Sequence, residues 1–168
     1  MTKGKGMSNS SNPLESIHRG LNPHVKSLRT TADLAGSLSR DDLRDRCRED
    51  LDFLVFKLLP MLRAEMEAVY PEVDRLLESE VATSILMRDQ SEIHELVDDL
   101  LDVNEHVIAH EVLTEDTLKR LRNVLYSLHS QIESLFEKDE DVLVPLLSYH
   151  LPPGHVASLF DQMLETRS

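Results

Sequence analysis

Glu65 and Asp139 are carboxylates set in line with apolar residues at helical spacing, and that is where chemistry is first suggested. At about 3.6 residues per turn, Leu54, Leu58, Met61, Leu62, Glu65 and Val69 share one stripe. Asp139 stands in the same way among Leu128, Ile132, Leu135, Val142 and Leu146. A buried, unpaired charge costs several kcal/mol or more, so each carboxylate needs a metal, a histidine, a hydrogen-bond donor or a shifted pKa. Candidate partners stand on other apolar stripes: His24 beside Val25, and Gln90 and His94 one turn apart. Polar residues at matched depth on four facing helices suggest a buried centre, and imidazole with carboxylate suits iron, zinc or manganese.

Other groups carry less. Met61, Leu62 and Met66 read as core filling, because methionine fills irregular gaps. His106, His110 and Glu111 resemble a helical metal pair with no third ligand nearby. His129 is most simply a core or boundary histidine, able to face His18 at one end of a bundle. In the EKDED run at 137–141 only Asp139, and with it Glu140, turns inward. No nucleophile stands beside a base with an orienting group, and no glycine-rich loop could cradle a phosphate.

The elements that must position these residues are helical. Residues 1–12, MTKGKGMSNSSN, read as a disordered leader, with Met7 as an alternative start. A first helix runs from Pro13 to about Ser37, with Pro23 expected to kink or restart it. Ser39 is a fitting N-cap for a second, which passes Pro60 to about Tyr70, and Pro71 opens a further turn or two. A third runs from Thr83 or Ser84 towards His110, and a fourth from Thr114 through Leu146. A short last helix follows the Pro152–Gly154 break, from His155 to about Glu165. A weak echo pairs LNPH at 21–24 with LLPM at 58–61. No stretch alternates as a strand does, so the expected fold is an all-α, up-down-up-down four-helix bundle with a short C-terminal helix, forming one domain from residue 13 to 168.

Composition narrows the partners. Eighteen basic against 31 acidic residues leave a net charge of -13, which repels nucleic acid and anionic membranes. No apolar run approaches the ~20 residues that span a bilayer. One cysteine, Cys47, excludes an intrachain disulfide and fits a reducing cytoplasm; its DRCRED setting suggests a surface thiol.

The segments LNPHVKSLR, FLVFKLLPMLRAEMEAVYP, LMRDQSEIHELV and LYSLHSQIESLFEKDEDVLVPLL resemble successive helices of hemerythrin-like, or His-His-Glu cation-binding, domains across residues 14–165. The resemblance implies two oxo-bridged irons inside the bundle and binding of oxygen, nitric oxide or peroxide, or sensing of iron and redox state. It places His24 at the first-helix ligand, Glu65 at the second-helix glutamate, His94 at the optional ligand of the third helix and Asp139 at the fourth-helix carboxylate. At three positions this chain departs from the pattern, with Met61, Gln90 and Leu135 where the family carries histidines.

Losing three imidazoles removes several coordinate bonds, so a full diiron centre is not expected. His24, Glu65, His94 and Asp139 remain for one residual iron or zinc ion, with Glu140 as a spare donor, or for a metal-free hydrogen-bonded cluster. The expected protein is a non-oxygen-carrying binding or sensing domain that meets a small diatomic or redox ligand, a second copy or a protein partner. The alternatives are a residual metalloprotein acting on oxygen, peroxide or nitric oxide, and a haem-binding bundle with Met61, His94 or His129 as axial ligands.

Overall fold

A computed structural model describes residues 13–165, and every element among them is helical. They are α1 (Pro13–Leu34), α2 (Arg40–Phe53), α3 (Leu59–Ala68), α4 (Tyr70–Leu77), α5 (Val81–Ala109), α6 (Glu115–Lys138), α7 (Val144–His150) and α8 (Pro153–Glu165). Two π-helical turns, Leu54–Leu58 and Asp139–Leu143, join α2 to α3 and α6 to α7. The leader expected at residues 1–12 lies outside the described residues. None of the described helices is long and apolar enough to cross a membrane.

Helix starts reflect local chemistry. The Ser39 hydroxyl accepts from the Asp42 amide at 3.1 Å, and Thr114 accepts from the Thr117 amide at the same distance. Asp41, Asp42, Glu115 and Asp116 place negative charge in the first turns, where the helix dipole favours it. Pro23 does not end α1, which runs unbroken to Leu34. The C-terminus of α5 is held by arginines: Arg40 donates to the Val107 carbonyl, and the Arg44 guanidinium to that of Ile108 at 3.0 Å.

The two π turns each precede a proline. Inside a helix, a proline ring collides with the carbonyl four residues back and offers no N–H. Here the residue before each proline bonds five residues back, Leu59 to Leu54 and Val144 to Asp139, which widens the turn ahead of Pro60 and Pro145. The structural echo in this chain is therefore between residues 54–60 and 139–145. The extra residue in the second turn also rotates the helix beyond it. Val142, expected inward, is 58% exposed, while Leu143, Val144 and Leu147 are buried.

Helix pairs are pinned by contacts far apart in sequence. α1 and α6 run antiparallel, with His18 against Glu140 at one end and Asp33 against Tyr126 towards the other. α5 and α6 do the same through Asp89 with Lys138 and Asp102 with Arg120. Ser27 donates to Asp50 at 2.9 Å between α1 and α2, and α8 packs on α3, burying Val156, Phe160 and Met163.

Cys47 corrects its expectation as a surface thiol. It is fully buried on α2, and burial pushes its pKa up to about 12. The folded protein should therefore leave a thiol-specific chromogenic reagent unreacted at pH 8 over minutes, and react promptly in denaturant.

Candidate functional site

His18 enters the interior because it follows Leu14 by four residues and precedes Leu21 by three, on the buried stripe of α1. Its ring stacks on Phe136 of α6 with centroids 3.8 Å apart. Nδ1 lies 2.7 Å from Oε1 of the half-buried Glu140, a carboxylate that can only accept, so Nδ1 carries the hydrogen. Nε2 then presents a lone pair towards Asp139, whose Oδ2 is 3.8 Å away. Burial lowers the His18 pKa, opposed by the hydrogen bond and charge of Glu140.

Asp139 opens the second π turn, and Glu65 stands on α3 one turn after Met61. Both carboxyls are fully buried. Burial drives Glu65 from an ordinary 4.5 up to about 8. Asp139 is raised well above its ordinary value by burial first, then by the adjacent Glu65. Because each raises the cost of ionising the other, a proton kept on one of them would spare the interior a double negative charge. Neither carboxyl reaches strict hydrogen-bond geometry, and with His18 Nε2 they bring five partnerless polar atoms into one region.

Tyr70, on α4, is held beside this pair. The Gln90 amide donates to its hydroxyl at 2.9 Å, with both side chains buried. Burial and the nearby Glu65 and Asp139 charges raise the Tyr70 pKa, which keeps the phenol neutral.

Sequence reasoning found Glu65, Asp139 and Gln90 but took different imidazoles. His24 is half-buried and lies over Phe53, ring centroids 5.0 Å apart, in a hollow beside Ser27 and Asp50. It is next to Val25 in sequence, and one residue of helix turns a side chain by about 100°, off the stripe. His94 is exposed on α5, on the wall of a surface groove. His129 pairs with Glu133 one turn along α6 at 3.2 Å; it lies about 15 Å of helical rise from the Asp139 turn where His18 sits, so the two histidines do not meet. The exposed His106 and His110 rings are 6.2 Å apart. Missed altogether were His18 as a partner of Asp139, and Tyr70. The signal for His18 was its place in the Leu14–Leu21–Val25–Leu28 series.

The donor set does not fit a diiron centre. Met61 and Leu135 fill the positions one turn before Glu65 and Asp139 with apolar, fully buried side chains. The Gln90 amide is engaged by Tyr70, and His18 Nδ1 by Glu140. Among the described residues no group of three or more His, Cys, Asp or Glu side chains is arranged to hold a metal ion. Comparison with protein-family models, with curated proteins and with solved structures finds no match.

Proposed function

We propose that this chain is an up-down-up-down bundle of hemerythrin-like kind with a short C-terminal helix, whose diiron site has degenerated into a proton-holding acid pair. Its role is binding or sensing, not oxygen carriage. One observation carries the reading: Glu65 and Asp139 meet in the interior with His18, while the positions a turn before the two acids hold Met61 and Leu135. Two adjacent buried acids cost desolvation that apolar side chains would not, so the presence of Glu65 and Asp139, neither with a hydrogen-bond donor of ordinary geometry, is best explained by use.

A second reading rests on the five partnerless atoms. His18 Nε2, Glu65 and Asp139 do not stand as a metal-holding group in this arrangement, and would offer one divalent ion an imidazole and two carboxylates only after the side chains close around it and the acids lose their proton.

Untagged protein from iron-replete cells, analysed by metal mass spectrometry and absorption spectroscopy, separates these. The expected result is less than 0.1 metal per chain and no band beyond the protein's own near 280 nm, taking about a tenth occupancy as the floor for a real site. Two irons with near-ultraviolet oxo-bridge bands overturn the degenerate reading. One metal, lost in His18→Ala, establishes the second, and a Soret band establishes haem.

A further inference from the structure

Where α3 and α5 face one another, the two helices do not close. On α5 that face is Met87, Gln90, Ser91 and His94, and on α3 it is Pro60, Arg63, Ala64 and Glu67, both at helical steps of three and four. Ala64 and Ser91 sit in the middle of these faces and are too short to fill the space between them, which leaves a hollow of about 740 Å³. Sites for small organic molecules have this size. Its floor reaches the core, because Ala64 and Gln90 are only 2% and 3% exposed. Val55, Leu59, Met66 and Met87 make the walls apolar.

One group at the floor lacks a partner. The Gln90 amide spends an N–H on the Tyr70 hydroxyl at 2.9 Å, while its Oε1 accepts from no described residue. Unlike the acid oxygens, Oε1 is not sealed off, and the space that Gln90 borders is this hollow. A nearly dry carboxamide oxygen without a donor costs free energy that the N–H or O–H of a ligand would recover. The other polar side chains of the floor and rim are engaged. Ser91 donates to the Met87 carbonyl at 3.0 Å, and Arg63 pairs with Glu67 at 3.3 Å. Beside the mouth, Arg88 pairs with Glu92 at 3.6 Å, and the exposed Glu95 and Asp98 follow His94 along α5. Apart from His94, the charges of the lining therefore cancel, and the acids beyond it repel an anion. With a neutral amide at its floor, the hollow selects an uncharged ligand.

We propose that the α3–α5 hollow binds an uncharged aromatic molecule of indole or phenol kind, its N–H or O–H donated to Gln90 Oε1. An aromatic body suits these walls because a methionine sulfur makes favourable contacts with a ring edge. Neither Glu65 nor Asp139 lines the hollow, so the site stands apart from the acid pair and from the role proposed for it.

Indole is the probe, and its fluorescence is read cleanly because the chain contains no tryptophan. Titrating the full chain into indole, excited beyond the tyrosine band, should give a saturable blue shift. The expected dissociation constant is about 0.1–1 mM, within reach of a ligand of about nine non-hydrogen atoms. N-methylindole keeps the ring but has no N–H, so it should bind at least about fivefold more weakly. Met87→Glu, at a wall position 37% exposed, should weaken indole binding at least about fivefold with unchanged circular dichroism. Gln90→Met keeps the length of the side chain without its acceptor and should make the two indoles bind alike. Tyr149→Glu, at a site 87% exposed on α7, should leave both within about twofold. Absence of saturable binding overturns the proposal, as do equal affinities of the two indoles for the wild type or indifference to Met87→Glu. If Gln90→Met does not fold, the two indoles on wild type and Met87→Glu still decide.

Discussion

Unfolding free energy should fall by several kcal/mol as pH rises from 6 to 9, and Glu65→Gln should flatten much of that fall. The native Glu65 carboxyl titrates near 8 instead of 4.5 because it is buried. A group whose folded pKa is raised stabilises the fold fully below its unfolded pKa and loses that contribution as pH climbs through the folded value. The loss therefore runs from about 4.5 up to and beyond about 8, and amounts to a few kcal/mol that belong to the Glu65–Asp139 pair and not to either acid alone. Asp139 and Asp50, both raised by burial, act in the same direction, as does the Cys47 thiol at higher pH. His18 acts oppositely: its pKa is lowered, so its contribution is lost as pH falls below about 6.5. Urea unfolding of wild type and Glu65→Gln at each pH is the measurement. Glutamine keeps the shape and polarity of the side chain but cannot ionise, so the variant should come near wild type only towards pH 4.5, lie about 2 kcal/mol above it at pH 6 and further above it at pH 9. Parallel curves for the two proteins would mean that Glu65 is not the titrating group.

Met61→His, Gln90→His and Leu135→His introduced together should convert the interior into an iron site. Without metal the variant should be severely destabilised. Met61 and Leu135 are fully buried, and exchanging each for an unpaired imidazole costs on the order of 2–5 kcal/mol. Gln90→His also removes the donor to the Tyr70 hydroxyl. With iron present, binding to the folded state alone should recover that loss, so melting temperature becomes dependent on iron concentration. Two irons per chain and near-ultraviolet absorption are expected. A triple variant that folds yet takes up no iron would show that the three positions do not face Glu65 and Asp139 at matched depth, and the degenerate-site reading would fall with it. Carrying the same three substitutions on a His18→Ala background should lower the stoichiometry or affinity, because His18, not His24, stands against Asp139.

The sequence by itself determined that the chain is helical and, within a few residues, where its helices begin. The caps at Ser39 and Thr114 and the apolar period act over one or two turns, and nothing distant overrides them. It also determined that Glu65 and Asp139 lie inward, since a carboxylate in a stripe of leucines faces what the leucines face. Only the tertiary structure decided what meets them. Whether His18 or His24 faces Asp139 depends on how α1 rolls against α6, settled by contacts more than 100 residues apart, such as His18 with Glu140. The same holds for Cys47, whose charged neighbours in sequence point away from the face that is buried, and for Gln90, whose partner Tyr70 sits on another helix. The π turn at Asp139 shifts everything after it by one residue, turning Val142 outward and Leu143 inward. Periodicity within a helix says which face is apolar, whereas the pairing, roll and depth of faces come from the summed packing of all the helices at once.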